Sequence, residues 1–461
     1  MLLSLIVALM SGGDDVPALG ISAAICLIPG LLSYLATSKN SGSLSKREGF
    51  LAVTLGWMLV SILGSLPYLI SGYIPRLADA FFESISGFTT TGASVVDHID
   101  SFPKGLLFWR ALTQWLGGIG VIVLALSFLP ATGMGGLKLF STEGPGVLKE
   151  KVTPRIYQTV KKILAIYLIL TLLESILLML GGMPLFDSIC HAFSTLSASS
   201  FSTKQAGLAF WPSTFIQYVV ILFMILAGTN FTLLLYAATG KPRKLLQDEE
   251  FRNYLLLIAG FTALIGGGLL ITTSTGFEEA FRNALFVVSS TLSTTGLVTV
   301  DYGMWAPVLI LLVLAMYFPG ACAGSTGGGI KIRRIVVLVK NSYLEIRRMV
   351  HPHAVIPVRF NGNIVEQKKI NNILAFFVFY VFLLFVSTLI LMIVVPDPGT
   401  ALGSVAACLG NIGPGLGLTG PSHTYAQIPD FGKWFLSFLM VTGRLELFTV
   451  LALLTPGYWK N

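Results

Sequence analysis

The stretch FESISGFTTTGAS occupies residues 82–94 and lies between two long apolar segments. Its apolar part, residues 80–90, would form a helix of about ten residues, whereas crossing about 30 Å of hydrocarbon takes about 20 helical residues. Such a helix reaches only halfway across a bilayer. We therefore expect it to end inside the membrane, at a run of three threonines followed by Gly92.

The composition is that of a polytopic membrane protein. Of the 461 residues, 54% are hydrophobic and only 11% are charged, whereas a soluble domain carries about 25% charged residues. The sequence predicts eight membrane spans from its long apolar runs. The runs occupy residues 50–71, 105–129, 156–180, 212–239, 254–272, 306–319 with its continuation, 373–395 and 431–455. A very short first helix, without the features of a signal peptide, is expected in residues 1–10.

The net charge of +8 follows from the membrane topology. Lysine and arginine are concentrated in residues 39–47, 138–162, 241–252 and 331–369, and these segments alternate with loops that carry few basic residues. By the positive-inside rule, the basic segments are cytoplasmic and the other loops are external. A nucleic-acid partner is therefore not expected. The four cysteines are far apart, so neither a disulfide framework nor a zinc site is predicted.

A short apolar helix followed by a loop of small or hydroxyl-bearing residues occurs four times. The four copies lie at residues 79–94, 186–203, 278–299 and 400–417. Aligning the tips of the loops matches Gly92, Ser200, Gly296 and Gly413, which are separated by 108, 96 and 117 residues. These separations fit one spanning helix, one re-entrant pore helix and a second spanning helix. The predicted fold is an all-α polytopic membrane protein with four such repeats around a central ion pore, after a short N-terminal helical domain.

The repeats also predict domain boundaries. The predicted units are an N-terminal domain at 1–44 and pore repeats at 45–150, 151–245, 246–365 and 366–461.

The four loops are candidates for an ion filter. Non-helical backbone at membrane depth is tolerated only where it is buried in protein or lines water. Carbonyl and hydroxyl oxygens that point inward can replace the hydration shell of a cation. One such loop alone could equally be a tight connection, but four at matched positions on one side favour a filter. The candidate ligands are Thr90, Thr91, Gly92, Ser199, Ser200, Thr295, Gly296, Asn411, Ile412 and Gly413.

From about residue 45 to the C-terminus, the sequence resembles the bacterial Trk potassium-uptake membrane subunits (TrkH and TrkG type) of the Trk/Ktr/HKT superfamily. The stretches that carry the resemblance are SGFTTTGAS (86–94), QWLGGIGVIVLALSFLP (114–130), GACAGSTGGGIKIRR (320–334), HPHAV (351–355), GNIGPGLG (410–417) and GRLELFTVLALLTP (443–456). The resemblance implies potassium as the transported ion, no organic cofactor in this chain, a homodimer, a cytosolic TrkA-type nucleotide-binding regulatory subunit, and the bacterial inner membrane. It implies potassium sites at Thr91, Gly92, Ser200, Thr295, Gly296 and Gly413.

Two features depart from the family pattern. The N-terminal region is shorter than the usual pair of helices. The second loop reads Ser199-Ser200-Phe201-Ser202-Thr203, where the family has Gly-Gly-Phe-Ser-Thr. In relatives, serine in place of a filter glycine accompanies greater sodium permeation, so the resemblance leaves the choice between potassium and sodium open. Alternatively, the serine adopts the same backbone and changes little.

Residues 320–331, GACAGSTGGGIK, interrupt an apolar run and resemble the family's intramembrane gating loop. The implied gating residues are Gly324, Gly327, Gly328, Gly329 and Arg444. Arg444 lies about 13 residues into the last apolar run, so it must face the bundle interior or water. We expect it to raise an electrostatic barrier below the filter. The alternatives are a close-packing kink for the loop and a structural anchor for the arginine.

Other polar residues carry weaker signals. Glu83, Glu174 and His191 are interpreted as packing residues, although Glu174 and His191 are the weak candidates for an ion-coupled (H⁺ or Na⁺) symporter. The basic stretch 331–355 is suited to anionic lipid or to the regulatory subunit. An enzyme is not predicted, because the sequence has no HExxH, no GxSxG and no intact P-loop. The predicted function is gated, channel-like uptake of potassium, with sodium permeation left open.

Overall fold

The computed structural model describes residues 1–37, 46–128 and 152–459. In these residues, six helices are long and apolar enough to cross a membrane, and the number reaches eight if each of two bent helix pairs is one span. The chain is therefore an all-α membrane protein, as predicted. A single two-residue hairpin is the extent of β-structure assigned to strands in the described part of the chain.

The helices follow the predicted order. An N-terminal pair comprises α1 (Leu2–Ser11) and α2 (Val16–Thr37). The first repeat has α3 (Lys46–Ser71), α4 (Leu77–Phe88) and α5 (Lys104–Phe128). The second has α6 (Val152–Leu180), α7 (Leu185–Leu196), α8 (Thr214–Ala227) and α9 (Phe231–Ala238), followed by α10 (Pro242–Leu246).

The second half repeats this order with more interruptions. The third repeat has α11 (Glu249–Thr272), α12 (Phe277–Leu292), α13 (Pro307–Ala315) and α14 (Ile332–Val350), followed by β1 (Arg359–Phe360) and β2 (Asn363–Ile364), which pair antiparallel. The fourth has α15 (Gln367–Met392), α16 (Pro398–Gly410), α17 (Asp430–Arg444), α18 (Leu447–Leu453) and α19 (Pro456–Trp459).

The predicted domain boundaries are only partly covered. Those after residues 44 and 150 lie outside the described residues, as do parts of the basic segments 39–47 and 138–162. The boundary after residue 245 falls inside α10, and the one after residue 365 lies between β2 and α15. The division into domains stays a prediction.

Two spans that the sequence predicts as single helices are broken. The run 212–239 divides into α8 and α9, which meet at 107°, and the run 431–455 divides into α17 and α18, which meet at 117°. At the first break, the Asn230 side chain accepts from the Thr232 amide at 2.8 Å and caps α9, while the Gly228 carbonyl accepts from Cys322 at 3.0 Å. These bonds replace the helical ladder. At the second break, Glu446 has a left-handed φ of 59°.

The four short helices α4, α7, α12 and α16 are largely buried and pack around one centre. Helix α4 packs against α17, α5 against α7, and α8 against α12, so neighbouring repeats follow chain order. The first and fourth repeats are joined by Lys433, whose Nζ lies 2.5 Å from a carboxylate oxygen of Asp79. The lysine is only 1% exposed, and this ion pair compensates its buried charge.

The N-terminal helices are fixed to the first repeat by a cap. Asp15, between α1 and α2, accepts a hydrogen bond from the Leu106 amide at 2.8 Å in the first turn of α5. A carboxylate at this position also complements the positive end of the helix dipole. Burial raises the pKa of the Asp15 carboxyl above its ordinary value. The short N-terminal pair is thus seated on α5.

Candidate ion-binding site

Each of the four short helices ends in the same turn. The first loop residue to leave the helical conformation has a left-handed φ in every copy: Thr90 (52°), Ala198 (56°), Thr294 (59°) and Asn411 (54°). The amide of the next residue donates to a carbonyl five residues earlier, at 2.9 Å in all four copies: Thr91 to Ser86, Ser199 to Ser194, Thr295 to Ser290, and Ile412 to Ala407. The turns are equivalent in backbone geometry and in hydrogen bonding.

The left-handed backbone conformation at these four turns is unfavourable for any residue other than glycine. For a residue with a Cβ it costs about 1–2 kcal/mol, so it persists only where the surroundings impose it. Glycine would carry no such cost, yet none of the four turns uses glycine at this position. Each of these four positions therefore carries a side chain despite the cost of the left-handed backbone.

Two residues further on, the second loop differs from the other three. Gly92, Gly296 and Gly413 again have positive φ values of 81°, 72° and 104°. Ser200 occupies the matched position and is not among the residues with positive φ. The backbone at Ser200 therefore differs from that of its three counterparts in this chain, and the effect of the serine on selectivity stays a prediction.

The loop tips contact one another in chain order. A Cβ added to Gly92 would lie 2.5 Å from the Ser200 amide nitrogen, and one on Gly413 would lie 2.7 Å from the Thr91 carbonyl oxygen. One on Gly296 would overlap the carbonyl of Ile412. Only glycine permits these approaches. The exit segments of the second and third loops are joined by a bond from the Leu208 amide to the Val298 carbonyl, at 3.2 Å.

The structure thus brings the sequence-predicted ligands of all four loops together, but several of their polar atoms are already engaged. The Ser200 hydroxyl donates to the Gly92 carbonyl at 3.0 Å, and the Gly413 carbonyl accepts from the Tyr425 hydroxyl at 2.9 Å. The Thr91 hydroxyl accepts from Asn411 Nδ2 at 2.9 Å.

Two threonine hydroxyls predicted as ion ligands form hydrogen bonds within their own loops. Thr91 Oγ1 lies 2.8 Å from Thr89 Oγ1, and Thr295 Oγ1 lies 2.7 Å from Ser293 Oγ. The threonine hydroxyls therefore stabilise the loops, and the backbone carbonyl groups are the better candidates for ion ligands. The hydroxyls of Thr90 and Ser199 are buried without a hydrogen-bond partner in the described part of the chain.

The ends of the short helices favour a cation at this centre. Helices α4, α7, α12 and α16 all end directly before a loop, so their C-terminal ends face the ring of loop tips. The C-terminal end of a helix carries about half a negative charge. Four such ends, together with carbonyl oxygens, would suit a dehydrated cation rather than an anion.

A non-helical segment between α13 and α14 packs against the residues at the C-terminal ends of α7 and α12. Its amide at Gly328 donates to the Thr294 hydroxyl at 2.6 Å, and the Thr326 hydroxyl donates to the Leu196 carbonyl at the end of α7, at 3.0 Å. The two ends of the segment are held together by a bond from the Gly320 amide to the Ile330 carbonyl, at 2.9 Å. The segment is therefore a loop fastened beneath the candidate ligands.

The predicted gating glycines lie in this loop. Gly324 and Gly329 have positive φ values of 78° and 64°. A Cβ on Gly327 would lie 2.6 Å from the Ser293 carbonyl oxygen, and one on Gly328 would lie 2.9 Å from Asn411 Cβ. Glycine allows the loop to approach the ring this closely.

Arg444, the last residue of α17, is buried and contacts the same loop. Its Nη1 donates to the Thr326 carbonyl at 2.8 Å, whereas Nε and Nη2 have no hydrogen-bond partner within the described residues. Lys331 Nζ donates to the Gly327 carbonyl in the same region. Two cationic side chains thus hold the loop from the cytoplasmic side.

Some polar residues were missed or only partly interpreted from the sequence. Arg110, inside the apolar run of α5, forms a buried ion pair with Glu83 at 2.7 Å. Arg334 pairs with Glu446 at 2.5 Å, beside the break that the sequence did not predict. An arginine within an apolar segment was the available signal for Arg110, because such a charge requires a buried partner or water.

Asn411 combines a left-handed backbone with two side-chain bonds, from Nδ2 to Thr91 Oγ1 at 2.9 Å and to the Met440 carbonyl at 3.0 Å. We predict that Asn411→Ala lowers the free energy of unfolding by about 2–4 kcal/mol, because it removes both bonds and retains a Cβ in the left-handed region. Denaturant unfolding in detergent measures the change.

Asn411→Gly is the matched control, because it loses the same bonds without the backbone strain. It should be more stable than Asn411→Ala by about 1 kcal/mol. Equal stabilities of the two variants would contradict a strained left-handed turn at this position.

Comparisons with known proteins agree with this architecture. Residues 17–457 match the TrkH family, described as a cation transport protein. The chain is 38% identical to a Trk system potassium uptake protein TrkH from Halomonas elongata, over 97% of this chain and 92% of the relative. It is 34% identical to the Trk system potassium uptake protein TrkG from Escherichia coli, over 93% and 89% of the two chains.

Comparison with a solved structure indicates the same family. The crystal structure of the potassium transporter TrkH from Vibrio parahaemolyticus superposes with a TM-score of 0.92 at 36% identity, covering 100% of this chain and 96% of that one. The family match covers most of the sequence and the structural match covers its whole length. The chain therefore belongs to the TrkH family of cation transport proteins, which are ion transporters rather than enzymes.

Proposed function

We propose that this chain is a gated, channel-like pore for potassium uptake, with the four loop tips as its selectivity filter. The observation that carries the proposal is the fourfold turn: equivalent left-handed residues with equivalent 2.9 Å bonds, arranged in chain order around one centre. Its relatives are named potassium uptake proteins. Potassium is the transported substrate, and the chain requires no organic cofactor for this role.

The filter oxygens are assigned by position in the loops. Carbonyl groups near the tips would replace water around potassium, and the negative ends of four helices would stabilise the dehydrated ion. The proposed ligands are at Thr91, Gly92, Ser200, Thr295, Gly296 and Gly413. For Thr91 and Thr295 the carbonyl is the preferred oxygen, because their hydroxyls already bond Asn411, Thr89 and Ser293.

The loop beneath the ring would act as the gate. It bonds Thr294 in the third filter loop through Gly328, and Arg444 holds its carbonyl at Thr326. A glycine-rich segment can change its backbone conformation at low cost. Displacement of this loop and of the Arg444 charge would open the cytoplasmic side of the pore, with Gly324, Gly327, Gly328 and Gly329 as its flexible positions.

The regulation and assembly of this chain are proposed from its membership of the TrkH family and from the exposed surface of α14. We propose that the chain lies in the bacterial inner membrane and forms a homodimer. We also propose that a cytosolic TrkA-type nucleotide-binding subunit controls its gate. Support comes from α14, which begins where the gating loop ends and carries exposed apolar side chains at Val339, Tyr343, Ile346 and Val350. Its arginines could also contact anionic lipid head groups.

A potassium symporter coupled to H⁺ or Na⁺ is the second candidate. The observation that favours it is Glu174 in α6, a buried carboxyl whose two oxygens have no hydrogen-bond partner among the described residues. His191, the other weak candidate, is occupied by bonds to Asp187 and Ser202. A current that reverses at the potassium equilibrium potential, whatever the pH and sodium gradient, would exclude coupling.

Ser200 allows a direct test of the filter, because its hydroxyl occupies the Gly92 carbonyl. We predict that Ser200→Gly raises the preference for potassium over sodium by about fivefold or more, an effect of about 1 kcal/mol. Uptake of rubidium and its competition by potassium and sodium, in liposomes with the purified protein, measures the ratio.

Ser200→Ala separates two causes, because it removes the hydroxyl and retains the Cβ. If the bond to the Gly92 carbonyl limits selectivity, both variants sharpen it; if the Cβ is responsible, only glycine does. An unchanged ratio in both variants, with rubidium uptake intact, would contradict a role for Ser200 in selectivity.

The gating proposal predicts that Arg444→Gln increases rubidium uptake by about tenfold, because it removes a positive charge beneath the filter. The initial rate of uptake into liposomes without the regulatory subunit is the measurement. Arg444→Lys is the matched control, because it retains the charge and loses the fork that contacts the Thr326 carbonyl.

The control distinguishes a barrier from an anchor. An electrostatic barrier predicts a low rate in Arg444→Lys and a high rate in Arg444→Gln. If both variants show the same increase, Arg444 holds the loop mechanically; if neither does, the arginine has no part in gating.

A further inference from the structure

We propose that Glu83, Arg110 and His191 form an outer brace that positions the external halves of the first two filter loops and thereby sets ion selectivity. The inference rests on the proposed function, since it assigns positioning residues to that filter. The brace is defined as these three side chains together with Ser94 and Ser202, to which they bond. None of the three is an ion ligand.

The first half of the brace is built on Glu83 in α4. Its carboxylate accepts from the Val95 amide at 2.9 Å and from the Ser94 hydroxyl at 3.0 Å. Ser94 and Val95 follow Gly92 after one intervening residue, Ala93, where the chain leaves the loop tip. The buried carboxylate therefore fixes the backbone where the first loop leaves the filter.

The second half is the counterpart of the first. His191 follows Glu83 by 108 residues, the same separation as between Gly92 and Ser200 and between Ser94 and Ser202. His191 Nε2 lies 3.0 Å from the Ser202 hydroxyl. Nδ1 lies 2.8 Å from the Asp187 carbonyl, which can only accept, so Nδ1 carries a proton. In the neutral ring, Nε2 then accepts from Ser202.

Arg110 in α5 joins the two halves. Its Nε and Nη2 contact the Glu83 carboxylate at 2.8 and 2.7 Å. Its Nη2 also donates to the Ser94 hydroxyl at 3.1 Å, and its Nη1 donates to the Ser202 carbonyl at 3.2 Å. The guanidinium lies 4.2 Å from the centre of the Phe201 ring, next to Ser200. One side chain thus holds the external halves of both loops.

The charged brace is confined to the first two loops. At the positions equivalent to Glu83 and His191, the third and fourth short helices have Val287 and Ser404. Ser404 makes a single hydroxyl contact, to Thr419 at 2.8 Å. The brace therefore flanks Ser200, the one tip position that lacks the left-handed glycine, and compensates locally for its different backbone.

Arginine is required by this geometry. Its planar fork reaches a carboxylate, a hydroxyl and a carbonyl at once, whereas a lysine ammonium is one compact donor group on a flexible stem. The buried pair also needs both partners, because removing one leaves an uncompensated charge. Loss of the fork should let the first two loops shift relative to each other without removing any oxygen from the filter.

The test is the cation selectivity of Arg110→Lys and Ser202→Ala, measured as competition of potassium and sodium with rubidium uptake. We expect each variant to lower the preference for potassium by about fivefold, the effect of one hydrogen bond, through a raised KM for rubidium with little change in maximal rate. Ser202→Ala removes a single hydroxyl and retains the charged pair, so it remains informative if Arg110→Lys fails to fold.

Arg282→Lys is the matched control. Arg282, like Arg110, pairs with a carboxylate, that of Glu278 at 2.9 Å. Both Arg282 and Glu278 lie near the start of α12, at the end away from the loop tip. The selectivity of Arg282→Lys should equal that of the wild type. A loss of uptake rate with an unchanged ion preference in both brace variants would overturn the brace and leave a structural ion pair.

The proposed function is tested separately in the same assay. If neither the wild-type protein nor Arg444→Gln passes potassium or rubidium, the proposed function fails. If uptake is seen, and Ser200→Gly changes selectivity whereas Arg110→Lys and Ser202→Ala do not, the filter stands and the brace fails.

Discussion

Four segments of non-helical backbone follow short buried helices in a membrane protein, and each amide and carbonyl in them must find a partner. An unpaired backbone group in hydrocarbon costs several kcal/mol, and lipid offers no hydrogen bonds. The structure meets this constraint with one turn used four times, in which a left-handed residue directs the following amide back to the end of its own helix.

The other features of the site depend on these turns. Because the loops contact one another at Gly92, Gly296 and Gly413, the position of each tip is set by its neighbours. The glycine-rich loop beneath them bonds Thr294, itself a left-handed residue. Under the proposed function, a change in this loop would reach the third filter loop through the bond from Gly328 to Thr294 and the second through the bond from Thr326 to the Leu196 carbonyl.

The sequence predicted the repeats well, because short apolar helices and loops of small residues are visible in composition. It also identified Ser200 as the departure, although the structure was needed to show that its backbone differs. It did not predict the breaks after Ala227 and Arg444, because the apolar segments on either side of Gly228-Thr229-Asn230 and of Glu446 are together long enough to be interpreted as single spans. Nor did it pair Arg110 with Glu83, since ion pairs between helices depend on packing rather than on spacing.

The proposed function requires that potassium binds within the ring formed by Gly92, Ser200, Gly296 and Gly413. The most direct measurement is anomalous scattering from crystals of the purified protein grown in rubidium in place of potassium. We expect an anomalous peak on the axis of the four loop tips, within coordination distance of their carbonyl oxygens. If the protein transports rubidium but the anomalous peaks lie elsewhere, with none between the loop tips, then potassium does not bind within this ring.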